Sequence, residues 1–291
     1  MNSNLSRLQP YPFEKLRLLF DGVIPNAEHR RIELHIGEPK HPTPEFIKLA
    51  LANAMSGLAQ YPATAGLPAL RNAVADWLKR RYGLPLIDPN TQILPINGSR
   101  EALFAIAQVV LDATPGQERP IAISPNPFYQ IYEGATLLAG AEPYFVNARV
   151  EDGFAMDYAS VPESVWRRVQ LVYTCSPANP SGRVMTLHEW EELFALSDRY
   201  NFVIASDECY SELYFDEKRP PLGGLEAAHR LGRKDFPRLM VFSSLSKRSN
   251  VPGLRSGFVA GDAALVKEFL LYRTYHGSAI STTVQQASVA A

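Results

Sequence analysis

Apolar positions recur every three to four residues over 44–55, 67–81 and 99–113, the spacing that gives a helix one apolar face. Thr186 followed by Glu189 forms a capping box, and Leu187, Trp190, Leu193 and Phe194 share one face of the helix it opens. Between the helical stretches lie short runs that are apolar almost throughout: 120–124, 170–174, 202–206, 239–243 and 257–260. Runs of this length without polar alternation suit strands covered on both faces. Helices and strands in alternation predict an α/β protein with a mainly parallel central sheet flanked by helices. Residues 216–235, with Pro220, Pro221, Gly223 and Gly224, read as a surface excursion.

Polar turns follow several of these strands, at Asn97-Gly98-Ser99, at 176–182 and at 207–210. Ligands of open α/β sheets bind outside the carboxyl ends of the strands, so these turns are expected to converge on one site. Charge narrows the choice of ligand. Lys and Arg total 29 against 30 Asp and Glu, which leaves no positive excess for a nucleic-acid backbone or an anionic bilayer. Arg7, Glu14, Lys15 and Arg17 interrupt the first 20 residues, and no signal-peptide core or run of membrane-spanning length follows. Cys175 and Cys209 stand in no metal-ligand or redox spacing, which suits a reducing cytoplasm and predicts no metal.

Five stretches carry candidate chemistry. Ser244, Ser246 and Lys247 follow an apolar strand, with Arg255 eight residues beyond the lysine. An amine beside hydroxyls and a guanidinium is what an aldehyde cofactor with a phosphate handle requires, although an ordinary solvated loop has the same composition. Asp207 ends another apolar run and needs a cation or hydrogen-bond donors if buried; a protonated pyridine nitrogen would serve, as would a simple capping role. Asn179, in a turn stiffened by Pro177 and Pro180, presents an amide to a phenolate oxygen or merely shapes the turn. Gly98-Ser99-Arg100 opens a helix whose free N–H groups and dipole suit a phosphate. Tyr129 and its aromatic neighbours offer a stacking face, or core.

In content and order these stretches resemble the class I aminotransferases of the fold type I pyridoxal-phosphate enzymes. The likeness begins at Ile36-Gly37-Glu38-Pro39 and Tyr61-Pro62 and is most specific in Ser244-x-Ser246-Lys247 with Arg255. Within the family, Asn126 to Ala135 and Tyr272-Arg273-Thr274-Tyr275-His276-Gly277 look like the N-succinyldiaminopimelate aminotransferases of bacterial lysine synthesis. The resemblance implies that Lys247 bonds to pyridoxal 5′-phosphate, that Asp207 pairs with its ring nitrogen, and that Tyr210 and Asn179 hold its ring hydroxyl. It assigns the phosphate to Ser99, Arg100, Ser244, Ser246 and Arg255, the ring face to Tyr129, and the substrate carboxylate to Gly37 and Asn179. Tyr61 would reach the cofactor phosphate of the second subunit of a homodimer.

The implied activity is transfer of an amino group between glutamate and N-succinyl-2-amino-6-ketopimelate. Another pyridoxal-phosphate reaction, such as a carbon–sulfur lyase, is the alternative, as is a non-catalytic binding module on the same fold. Family members usually continue past the point where this chain stops and supply there the arginine that clamps the substrate carboxylate; no residue here matches it. The expected layout is an N-terminal arm and small-domain segment at 1–45, a large cofactor-binding domain at 46–291 and an incomplete small domain. Such a chain is expected to bind cofactor and to transaminate poorly.

Overall fold

The computed structural model describes residues 1–291. In chain order its elements are α1 (Pro12–Leu19), α2 (Glu45–Asn53), α3 (Pro68–Tyr82), β1 (Ile93–Ile96), α4 (Ser99–Val110), β2 (Ile121–Asn126), α5 (Gln130–Leu138) and β3 (Glu142–Asn147). There follow α6 (Glu163–Trp166), β4 (Val169–Cys175), α7 (Leu187–Tyr200), β5 (Val203–Asp207), α8 (Gly224–Arg230) and β6 (Leu239–Ser244). The chain closes with α9 (Leu245–Arg248), β7 (Gly257–Gly261), α10 (Ala263–His276) and α11 (Thr282–Ala290).

All seven strands form one sheet in the order β1-β7-β6-β5-β4-β2-β3. Neighbours are parallel except β7, which runs antiparallel to both β6 and β1. Side chains alternate between two cores, as the pleat requires. Ile204 and Val241 pack on the face covered by α3, α7 and α8, while Ala205 and Phe242 pack on the face covered by α4, α5 and α10. Both faces are therefore dry, and this is why the strands read as unbroken apolar runs.

The five predicted runs are β2, β4, β5, β6 and β7, with ends moved by one or two residues. The two unpredicted strands, β1 and β3, are the sheet edges. β1 is short and carries Pro95, and β3 is only partly buried and ends in Asn147, features that edge positions tolerate and apolar patterning does not detect. The predicted helix over 99–113 stops at Val110, with Leu111 already extended, three residues ahead of Thr114-Pro115. The stretch 44–55 ends its α-helix at Asn53 and passes into a 3₁₀ turn, Met55–Ala59. The capping box forms: the Thr186 hydroxyl accepts from Glu189 N–H while Glu189 accepts from Thr186 N–H at 2.8 Å.

Residues 216–235 need correction, because their second half is not a surface excursion. It contains α8, whose Leu225, Ala227 and Ala228 are fully buried. The glycines that suggested a loop serve close packing instead. A Cβ at Gly223 would lie 2.7 Å from the Tyr82 ring, and one at Gly224 2.9 Å from Trp190. Between them sits the buried Glu208, whose Oε1 accepts from Gly224 N–H (2.7 Å) and Ser206 Oγ (3.0 Å) and whose Oε2 accepts from the Tyr82 hydroxyl (3.1 Å). One carboxyl thus ties the end of β5 to α3 and α8.

Burial pushes the Glu208 carboxyl up from 4.5 to about 7, against the donation it receives. Between those values the folded chain keeps a proton that the unfolded chain has released. The contribution is fully present below about 4.5 and is lost as pH rises through about 7. Glu208→Gln should flatten this slope. In urea unfolding at pH 5 and pH 7.5 the wild type is expected to lose more stability than the variant, by at most about 3 kcal/mol. Equal losses would contradict the assignment.

Candidate active site

The connection from β6 to β7 shapes the site. A parallel return would need a long crossover, but residues 245–256 turn back directly, so β7 runs antiparallel. Residues leaving β6 and residues entering β7 therefore stand at the same end of the sheet. Lys247 lies just after the first strand and Arg255 just before the second. Arg255 takes a left-handed conformation (φ 54°) rarely adopted by non-glycine residues, and its guanidinium meets the turn before α4. Its Nη2 donates to Asn97 O (3.3 Å) and packs against Gly98, whose positive φ of 89° favours glycine there.

The carboxyl ends of β4, β5 and β6 and the N-terminus of α4 open onto one cavity of about 1040 Å³. Gly37, Ser99, Arg100, Tyr129, Asn179, Asp207, Tyr210, Ser244, Ser246, Lys247 and Arg255 all line it. Tyr61 does not; it is fully exposed, away from this cavity.

Asp207 lies at the floor, only 7% exposed. The Tyr132 hydroxyl donates to its Oδ2 (2.8 Å) and the Cys209 N–H to its Oδ1 (3.3 Å). Burial pushes the carboxyl above the usual range, against the donation from Cys209 and Tyr132, and no lysine, arginine or histidine offsets it. Lys247 is half-buried; its Nζ donates to Gly37 O and lies 6.0 Å from the centre of the Tyr210 ring. Burial lowers its pKa, which raises the fraction present as free amine, the nucleophilic form. Asn179 Nδ2 donates to the Tyr210 hydroxyl (3.4 Å), whose own pKa burial pushes up to about 12, so it stays protonated.

Around the rim, Ser244 Oγ donates to Ser246 Oγ (2.8 Å) and accepts from Ser246 N–H (2.9 Å). Ser99 Oγ accepts from the Cys209 thiol (2.9 Å). The Arg100 guanidinium packs over Tyr129 (5.8 Å) and Tyr11 (5.6 Å), so its side chain braces the stacking ring while its backbone N–H belongs to the helix start.

Sequence reasoning gave Tyr132 no role. It is the second-turn partner of Tyr129, three residues on and therefore on the same side of α5, with the rings edge-on at 5.8 Å. That spacing was the available signal. Tyr132 also stacks on Tyr173 at 4.6 Å, which fixes the hydroxyl under Asp207. Tyr11 gave no signal, because its place beside Arg100 depends on how the N-terminal stretch crosses the surface.

This donor set fits pyridoxal phosphate on two counts. A buried carboxylate supplied only with neutral donors is matched by a protonated ring nitrogen. Three hydroxyls, a guanidinium and a helix N-terminus kept open by Gly98 match a phosphate ester.

Residues 30–291 match the family model for aminotransferase class I and II. The chain belongs to that family. Its members work with pyridoxal 5′-phosphate. An LL-diaminopimelate aminotransferase from Desulforudis audaxviator is 33% identical over 290 residues, covering 99% of this chain and 70% of that protein. LL-diaminopimelate aminotransferase 2 from Nostoc is 30% identical over 289 residues, covering 99% of this chain and 71% of that one. Among solved structures, an aminotransferase from Neisseria meningitidis superposes with a TM-score of 0.95 at 56% identity, over all of this chain and 72% of that one. One from Helicobacter pylori gives 0.88 at 38% identity, over 97% and 72%.

The family cavity holds both cysteines, and burial pushes both thiols up, Cys175 to about 12. At pH 8 the folded chain is expected to react slowly with a disulfide-exchange reagent and to release both thiols promptly on denaturation. A fast-reacting thiol in the native chain would contradict this description of the site.

Proposed function

We propose that this aminotransferase moves an amino group between glutamate and N-succinyl-2-amino-6-ketopimelate, in the diaminopimelate branch of lysine synthesis. The observation that carries the reading is the meeting, in one cavity, of the Lys247 amine, the cation-free Asp207 carboxylate and the hydroxyl–guanidinium rim. The cavity lies at the top of the size range of small-molecule pockets, with room for a cofactor and an extended dicarboxylate. Relatives named for LL-diaminopimelate support a substrate of that backbone.

When bound, the cofactor supplies an electron sink for charge developing at the substrate Cα. Everything else falls to the chain. Lys247 would hold the cofactor through its amine, and its Nζ is the group placed to take the proton from the substrate Cα; burial lowers its pKa and so raises the fraction available as free base. Asp207 accepts the hydrogen bond of the ring nitrogen and holds its charge. Tyr210 and Asn179 donate to the ring oxygen. Ser99, Ser244, Ser246, Arg255 and the Ser99 and Arg100 N–H groups bind the phosphate, and Tyr129 covers one ring face. Gly37 and Asn179 receive the substrate carboxylate. Tyr61, exposed and outside the cavity, serves the phosphate of the other subunit of a homodimer. Residues 1–45 act as the arm and small-domain segment, and 46–291 as the large domain.

A second reading, transfer to the unsuccinylated acceptor, is favoured by the relatives' names. Half-reactions separate the two. The cofactor-loaded protein should lose its visible absorption band on adding glutamate and regain it with the succinylated keto acid. Regain only with the unsuccinylated acceptor would move the assignment to LL-diaminopimelate. Indifference to glutamate, with pyruvate and ammonia released from a thioether amino acid, would make it a lyase. Lys247→Ala is expected to abolish borohydride trapping of the cofactor while leaving the unfolding midpoint nearly unchanged; undiminished trapping would refute the role of Lys247.

A further inference from the structure

Arg273 is the only lysine or arginine in the chain that is buried, and it is fully so. It stands near the end of α10, in the segment Tyr272 to Gly277. Its Nη1 donates to Glu101 Oε1 (2.5 Å) and its Nη2 to Ser278 O (2.6 Å). The same Glu101 oxygen accepts from Asn97 N–H (3.0 Å), the residue whose carbonyl accepts from Arg255. A continuous line of polar contacts therefore runs from Arg273 through Glu101 to the Asn97-Gly98-Ser99 turn and on to Arg255.

Glu101 poses an electrostatic problem. It sits in the first turn of α4, where a carboxylate suits the helix dipole when nothing else occupies that end. Where the same N-terminus receives a phosphate, a second negative charge within that first turn opposes it. A fully buried arginine is costly to desolvate and would be a poor choice for stability alone.

We propose that the Arg273–Glu101 ion pair is a positioning device for the phosphate cradle. Glu101 fixes the Asn97–Ser99 turn through the Asn97 N–H, and Arg273 cancels its charge, so that the α4 N-terminus and Arg255 act undiminished on the phosphate. The inference rests on the reading of this cavity as the pyridoxal-phosphate site. It assigns Arg273 to ligand affinity, from a position outside the cavity lining.

The test compares pyridoxal phosphate with pyridoxal, which lacks the phosphate, in equilibrium titrations of the full chain followed by protein fluorescence. Arg273→Met should weaken pyridoxal phosphate about tenfold or more, the scale of one charge-assisted contact, and leave pyridoxal within about twofold. Adding Glu101→Gln to that variant removes the uncompensated carboxylate and should restore most of the loss. Should Arg273→Met not fold, Arg273→Gln, which keeps hydrogen-bonding capacity without charge, makes the same comparison. Equal weakening of both ligands, or no weakening of either, overturns the proposal and leaves the cofactor reading standing. A wild-type chain that binds neither ligand overturns both.

Discussion

A carboxylate buried without a cation is the constraint around which the site is arranged. Asp207 ends β5 in the middle of the sheet, where both faces are covered and only the cavity side is left open, so little solvent is available to compensate it. Tyr132 and the Cys209 N–H relieve part of the cost, but neutral donors do not remove a charge. The remaining demand is for a positive group entering from the cavity side. A protonated aromatic nitrogen meets it, and the enzymes of this family carry such a ring in their cofactor.

The rest of the site follows from where β5 ends. Its neighbour β6 runs two residues further at the same end of the sheet, and the direct return into β7 brings Lys247 and Arg255 to that end together. The α4 N-terminus faces them across Gly98. On the opposite side of β5, Glu208 locks the strand end to α3 and α8, so the carboxylate that faces the ligand and the carboxyl that faces the core are adjacent residues with opposed duties. Successive side chains on a strand point to opposite faces, and the Asp207-Glu208 pair uses that alternation.

How much of this was legible in the sequence depended on how local each signal was. The interior strands were readable because burial on two faces leaves no polar alternation, whereas the edge strands β1 and β3 obey weaker rules and were missed. The candidate residues on the turns after the strands share one cavity because turns at one end of a parallel sheet must meet, which composition and order were enough to predict; Tyr61, on no such turn, lies outside it. Tyr132 was visible as part of an aromatic stretch, but its hydrogen bond to a residue 75 positions away was not. Gly223 and Gly224 misled for a related reason. A glycine needed for close packing and one needed for a turn look identical until the tyrosine and tryptophan against it are known.

The most direct measurement of the central claim is the nitrogen-15 chemical shift of ring-labelled pyridoxal phosphate bound to the protein at pH 7.5, in the wild type and in Asp207→Asn. A buried carboxylate that needs a cation predicts a protonated ring nitrogen in the wild type and a neutral one in the variant. A neutral nitrogen in the wild type, or a shift unaltered by the substitution, would contradict the account.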